Sequence, residues 1–315
     1  MQYRRLGGSG LKVSEISLGS WLTYGGYVEK RQAMQTIHSA FDRGINFFDT
    51  ANIYMRGEAE KVVGEALAGY RRESFVLATK VWGQMGDGPN DRGLSRKHII
   101  EQCDASLKRL GMDYIDLYYC HSPDPSTPLA ETLRALDDLV RQGKVLYAGV
   151  SNWTAAMMTE AVHIADSKLL DRIVASQPPY SMLRRDIEKE IIPTGLKYGI
   201  GQVVYSPLAQ GVLSGKYKSS SEVPGDSRAA SERGKQSIAK YLTDANLVKV
   251  EKLAQIADGL GLSLPQLALA WILRQPNVSS AIIGASRPEQ VEENAKASGV
   301  IIPDDALAAI ESALQ

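Results

Sequence analysis

Gly44-Ile45-Asn46-Phe47-Phe48-Asp49-Thr50-Ala51-Asn52-Ile53-Tyr54 is the stretch on which the fold turns. Its first half is a short apolar run that stops at a carboxylate. Its second half is a loop that carries a phenol. The same pattern recurs downstream: Phe75-Val76-Leu77-Ala78-Thr79-Lys80 stops at an ammonium and Leu117-Tyr118-Tyr119-Cys120-His121 at an imidazole. Runs this short and this apolar fit strands buried on both faces. Asp49, Tyr54, Lys80 and His121 therefore sit at or just past strand ends, where a parallel barrel places its working groups.

Outward from these segments, strand-like and helix-like stretches alternate. Strands are predicted at 16–19, 46–49, 75–80, 115–121, 147–151, 174–177, 201–205 and 280–283. Helices are predicted at 31–43, 59–67, 95–110, 128–141, 154–167, 187–198, 247–260, 265–273, 288–297 and 304–314. Ser95 is a candidate N-cap and Gly111 a C-terminal stop, while Thr127-Pro128 opens a helix in its first turn and Gly143 closes it. A hairpin precedes the series, Tyr3 to Leu6 and Lys12 to Ser14, turning through Gly7-Gly8-Ser9-Gly10. Alternation of this kind implies parallel βαβ units. An open doubly wound sheet would carry G-x-G-x-x-G after its first strand, and Gly19-Ser20-Trp21-Leu22-Thr23 does not. The expected fold is α/β: one (β/α)8 barrel over 1–315, with the hairpin closing its bottom and the last helix packed outside.

Composition narrows the function. Lys plus Arg equals Asp plus Glu at 36 each, so no global field favours nucleic acid or an anionic membrane. The start, Met1-Gln2-Tyr3-Arg4-Arg5, has no apolar stretch behind it, so a signal peptide is not expected. No apolar run reaches the length of a membrane span. Two cysteines make no disulfide framework, and a reducing, cytoplasmic setting is the expectation. Cys120-His121 is a poor metal pair, because strand neighbours point to opposite faces and His38, His98 and His163 fall on helices. Gly211-Val212-Leu213-Ser214-Gly215-Lys216 is one residue short of a P-loop. Trp153, Met157 and Met158 read as helix packing, and Lys108-Arg109 and Arg184-Arg185 as solvated faces.

Two connections stand out. From about 207 to 240 little regular structure is predicted, and loops of that length in a compact domain are usually functional. It follows strand seven and would lie over the polar strand ends. After strand eight, Gly284-Ala285-Ser286-Arg287-Pro288 turns into a helix N-terminus suited to a phosphate.

The four polar residues suit proton chemistry. A free phenol, with a pKa of about 10, is a poor acid at neutral pH. A nearby ammonium favours the phenolate and eases proton donation. A buried ammonium in turn needs a carboxylate partner. Tyr54, Lys80 and Asp49 therefore read as a tuned general acid, and His121 as a donor that holds a carbonyl oxygen.

With these residues in view, the chain resembles the aldo-keto reductases, in particular the branch of potassium-channel β subunits and their bacterial and plant relatives. The resemblance rests on Gly44 to Ala51 with Tyr54, on Arg92-Gly93-Leu94-Ser95-Arg96-Lys97-His98-Ile99-Ile100, and on Ser206-Pro207-Leu208-Ala209 with Gly211. Ser214-Gly215-Lys216-Tyr217 and Gly284-Ala285-Ser286 through Glu293-Asn294 complete it. It implies reduction of aldehydes and ketones by hydride transfer from a nicotinamide, with Tyr54 as general acid. Lys80 and Asp49 would tune that acid and His121 would orient the carbonyl. In animal channel subunits this last position is often not histidine, so His121 favours a working enzyme.

The resemblance also implies cofactor contacts. Ser151, Asn152 and Gln177 would hold the carboxamide, Tyr205 would stack on the ring, and Ser20, Trp21 and Asp49 would also contact the cofactor. Ser206, Leu208, Gly211, Lys216 and Arg228 would clasp the pyrophosphate side. Gly284, Ser286, Arg287, Gln290, Glu293 and Asn294 would hold the adenine and 2′-phosphate end. Many relatives carry Lys and Arg where this chain has Gly284 and Gln290; Lys216, Arg228, Ser286 and Arg287 would substitute, and NADP(H) is expected over NAD(H). Trp21, Tyr24 and Trp82, with Tyr54 and His121, would wall the pocket of a small carbonyl substrate. The branch further implies a ring of four subunits. It also implies an alternative role, a slow-turnover NADPH-binding redox sensor that regulates a membrane protein.

Overall fold

The computed structural model describes residues 1–220 and 232–315. Eight parallel strands close into a barrel: β3 (Ile16–Gly19), β4 (Phe47–Asp49), β5 (Val76–Val81), β6 (Ile115–Cys120), β7 (Val145–Ser151), β8 (Ala175–Gln177), β9 (Gly201–Val204) and β10 (Val278–Gly284). They pair in chain order, and β10 pairs with β3 in the register Ala281↔Ile16 to Gly284↔Gly19. The chain thus forms the expected (β/α)8 barrel with an extra N-terminal hairpin, β1 (Tyr3–Arg5) and β2 (Lys12–Ser14).

Side-chain alternation sorts the core into two layers. Phe47, Val76, Ala78, Leu117, Tyr119, Ala175, Val203 and Ile282 fill the barrel, and Leu6 and Val13 of the hairpin plug its lower end. The larger layer lies between the strands and the surrounding helices. Cys120 is buried in that outer layer as a free thiol, while the next residue turns to the barrel mouth. Gly7 shows how tightly the hairpin seats. At φ 57° a Cβ on it would meet Gly199 O at 2.3 Å and Gly201 N at 2.5 Å.

Around the barrel run α1 (Lys30–Asp42), α2 (Glu58–Leu67), α3 (Arg96–Leu110), α4 (Leu129–Arg141), α5 (Ala155–Lys168) and α6 (Ile191–Tyr198). Then follow α7 (Glu232–Ile238), α8 (Asp244–Gly259), α9 (Leu264–Leu273), α10 (Pro288–Ala295) and α11 (Asp304–Leu314). Ser95 caps α3 by accepting from His98 N, and Gly111 ends it at φ 66°. Trp153 and Met158 are buried as helix packing.

Several segments differ from expectation, among them the following three. Pro128 is the residue before α4 rather than part of its first turn. The helix predicted at 187–198 begins only at Ile191, after a 3-10 turn at Asp186–Glu188. Pro193 lacks an N–H and fits a helix only in its first turn, which forces that late start. The stretch 207–240 carries a 3-10 segment, Ala209–Ser214, and α7. Among the described residues no single helix is long and apolar enough to cross a membrane.

Candidate active site

The C-terminal strand ends converge on a cavity of about 1150 Å³. Asp49 closes β4 and is 4% exposed. Lys80 lies on β5 in phase with Val76 and Ala78, so its side chain enters the barrel, where it is fully buried. His121 is one residue past β6, held by its N–H to Val81 O at 2.9 Å. Tyr54 opens a tight turn, with Met55 (φ 48°), Arg56 (φ 53°) and Gly57 (φ 95°) all left-handed before α2 begins.

The four side chains meet. Lys80 Nζ donates to Asp49 Oδ1 at 2.5 Å, to Thr50 O at 2.8 Å and to Tyr54 Oη at 3.3 Å. His121 Nε2 lies 3.5 Å from the same Tyr54 oxygen, with the two rings edge to face. Tyr54 Oη is thus flanked by the ammonium on one side and the imidazole on the other, and both Tyr54 and His121 face the cavity.

Burial dominates the electrostatics. It pushes the Tyr54 phenol well above its ordinary range, and the Asp49 charge adds to this. That direction is opposite to the one expected from a neighbouring ammonium, because desolvation of a phenolate outweighs the attraction of Lys80. The result is a phenol that keeps its proton, which a proton donor requires. Burial lowers the Lys80 pKa, and Asp49 pulls it back up. His121 is depressed to about 3, first by burial and then by the Lys80 charge, so its ring is neutral.

Beyond this cluster the cavity wall is polar. Gln177 Nε2 donates to Asp49 Oδ2 at 2.8 Å, and Ser151 Oγ donates to Gln177 O at 2.8 Å. Asn152, left-handed at φ 60°, donates through Nδ2 to Ser151 Oγ at 3.0 Å and to His121 O at 3.3 Å. Tyr205 Oη donates to Asn152 Oδ1 at 2.9 Å and so bridges the ends of β7 and β9. Ser206 (φ 56°), Ala209 (φ 47°), Gln210 (φ 60°) and Gly211 (φ 101°) turn the next segment along the mouth, with Gln210 Nε2 donating to Ser206 Oγ at 2.5 Å. Left-handed non-glycine residues are costly, and two of these, Ser206 and Gln210, line the cavity. Leu208 and Lys216 line the same side.

At the far end, Ser286 donates from its N–H to Gln290 Oε1 at 2.8 Å. Gly284, Arg287, Glu293 and Asn294 complete that wall. Glu293 Oε1 accepts from Gln266 Nε2 at 2.9 Å, and Arg287 lies 3.9 Å from Glu289.

Trp21 lines the cavity as expected, but four predicted site residues do not. Lys80 lies fully buried behind Tyr54. Ser20 is buried and donates to Thr50 Oγ1 at 2.8 Å. Tyr24 is only 1% exposed, because Gly25 (φ 70°) packs against Glu58 and Ala59 and turns the ring into the core. Trp82 packs against the outer core, with the Arg92 guanidinium 5.9 Å from its ring. Arg228 lies outside the described residues. Sequence reasoning missed Ile53, Gln210, Pro265 and Glu289, which also line the cavity. Ile53 adjoins Tyr54, and the polar Gln210 inside a glycine-bounded segment was a usable signal. Arg109 is no solvated residue: it is largely buried in an ion pair with Glu60, to which sequence reasoning gave no role.

The profile of the aldo/keto reductase family matches residues 15–315. Two similar relatives bear the name "Probable voltage-gated potassium channel subunit beta". The one from Arabidopsis thaliana is 48% identical over 305 residues, covering 96% of this chain and 92% of its own. The one from Oryza sativa subsp. japonica is 46% identical over 305 residues, with the same coverage.

Proposed function

The chain belongs to the aldo/keto reductase family of nicotinamide-dependent oxidoreductases, and on that premise we propose that it reduces small aldehydes and ketones to alcohols with NADPH as the preferred cofactor. One observation carries the reading: the Tyr54 hydroxyl stands at the cavity floor between Lys80 Nζ at 3.3 Å and His121 Nε2 at 3.5 Å.

The donor set fits a dinucleotide. The cavity is larger than most small-ligand pockets and runs from amide and hydroxyl groups at Ser151, Asn152 and Gln177 to Ser286 and Asn294. Tyr205 offers an aromatic face between these ends, and Lys216, Ser286 and Arg287 supply donors for phosphate. When bound, the reduced nicotinamide supplies the hydride for the carbonyl carbon.

The chain's own residues handle the oxygen. Neutral His121, in the tautomer with its proton on Nε2, donates to the carbonyl oxygen and aims it at Tyr54. Tyr54 releases its proton to that oxygen as negative charge develops there. Lys80, held by Asp49 and Thr50 O, stabilises the phenolate left behind. A donor poised in this way typically contributes 10²–10⁴-fold to the rate.

The names of the relatives favour a second reading, a subunit that regulates a membrane channel; in that role the chain would hold NADPH and turn over rarely. Stopped-flow nicotinamide absorbance separates the two. Purified protein is mixed with excess NADPH and 4-nitrobenzaldehyde. Many turnovers per subunit support the reductase. One oxidation of bound cofactor followed by a stall supports the regulator, and no oxidation at all contradicts both.

A further inference from the structure

Glu60 is a fully buried carboxylate outside the cavity. It lies in the first turn of α2, the helix into which the turn carrying Tyr54 runs directly. Thr79 Oγ1 donates to Glu60 Oε1 at 2.6 Å. Arg109 Nε, from α3, donates to Glu60 Oε2 at 2.5 Å, and Arg109 Nη2 donates to Ser106 Oγ at 3.1 Å. Thr79 precedes Lys80 on β5, and the two point to opposite faces: Lys80 into the barrel, Thr79 to α2. One carboxylate therefore ties the helix that follows Tyr54 to the strand that carries Lys80.

Glycines make room for this arrangement. A Cβ on Gly57 would lie 2.5 Å from Arg109 Cδ, and one on Gly64 would lie 2.2 Å from Leu110 O. An apolar pair of similar volume would serve the packing as well or better, since buried charges lose their hydration. What an ion pair adds is direction and reach.

We propose that Glu60 is a positioning residue that sets the separation of the Tyr54 hydroxyl and the Lys80 ammonium by locking α2 to β5. The proposal rests on the reading of Tyr54 and Lys80 as the proton-donating pair. The charge of Glu60 also acts on Lys80 through β5. Asp49 faces Lys80 from β4, Tyr205 from the end of β9, Tyr54 from the turn after β4 and His121 from the end of β6. Asp49 and Glu60 both favour the protonated lysine. Without the Glu60 charge, Lys80 loses its proton at lower pH.

The test compares three variants of the full chain in steady-state reduction of 4-nitrobenzaldehyde by NADPH. Glu60→Gln keeps the shape but loses the charge. Thr79→Val removes one hydroxyl. Glu15→Gln is the control, since Glu15 is likewise a buried carboxylate, paired with the more exposed Arg4 at the barrel's lower end. Both Glu60→Gln and Thr79→Val should lose kcat by roughly ten- to a hundredfold, the scale of a displaced reacting group. Their NADPH affinity should stay at the wild-type value. In Glu60→Gln the alkaline limb of the kcat profile should move to lower pH. Glu15→Gln should melt earlier and keep its kcat. A Glu60→Gln protein with lower Tm but wild-type kcat and pH profile overturns the proposal, as does parallel loss of NADPH binding. Should Glu60→Gln not fold, wild-type kcat in Thr79→Val overturns it alone. Either outcome leaves the proposed function standing, which fails instead if Tyr54→Phe keeps wild-type turnover.

Discussion

Lys80 is the residue on which the site's charges depend. Its ammonium is fully buried and satisfied by Asp49, Thr50 O and Tyr54. Lys80→Met would leave the Asp49 charge without its cation, a loss of about 3–5 kcal/mol when one partner of a buried pair is removed. Chemical denaturation should show that loss together with inactivity; an unchanged midpoint would contradict the pairing. His121 makes a prediction in pH. Its folded pKa is about 3, while the unfolded side chain titrates near 6.5. Between these values the unfolded chain binds a proton that the folded chain does not. The associated stability is fully present above pH 6.5 and drains away as pH falls toward 3. Relative to His121→Asn, the wild type should therefore lose stability on acidification below pH 6.5. A constant difference between the two across that range would show that His121 is not held neutral.

At the scale of elements, the hairpin and the strand ends do separate work. The hairpin plugs the lower end through Leu6 and Val13, far from Tyr54. Gly7→Ala would force a side chain into the backbone of Gly199 and Gly201 at positive φ. A cost of about 1–3 kcal/mol is expected from such strain, read as a lower melting temperature, with kcat unchanged below the transition. Loss of kcat in step with the melting temperature would mean the two ends are coupled. Much of this division was legible in the sequence. Strand periodicity and the polar residues that end Phe47-Phe48-Asp49 and Val76 to Lys80 needed no tertiary information. The late start of α6 turned on one proline in an otherwise helical run. The Glu60–Arg109 pair was invisible, because Lys108-Arg109 looks like any solvated basic step. Only the approach of α2 to α3, allowed by the bare Gly57 and Gly64, buries it. Tyr24 misled for a similar reason: its place beside Trp21 in sequence says nothing of the Gly25 turn that sends it inward.

For the whole molecule, the closed barrel gathers residues from 19 to 294 around one cavity. A ligand filling that cavity binds only the folded chain, so it must stabilise it, by about 2.7 kcal/mol at a hundredfold excess over its dissociation constant. NADPH should raise the melting temperature more than NADH at equal concentration if Lys216, Ser286 and Arg287 receive the 2′-phosphate. Equal shifts would remove the cofactor preference and leave the reductase reading intact. Net charge, with 36 acidic and 36 basic residues, left the function open. The strand ends and the family resemblance narrowed it. The upward push on the Tyr54 phenol could be found only from its burial in the folded barrel. Tyr54 as the source of the proton is tested most directly by turnover and NADPH affinity of Tyr54→Phe beside the wild type. Tyr54→Phe should lower kcat by about 10²–10⁴-fold with NADPH bound as tightly as before. Turnover near the wild-type rate would contradict that role.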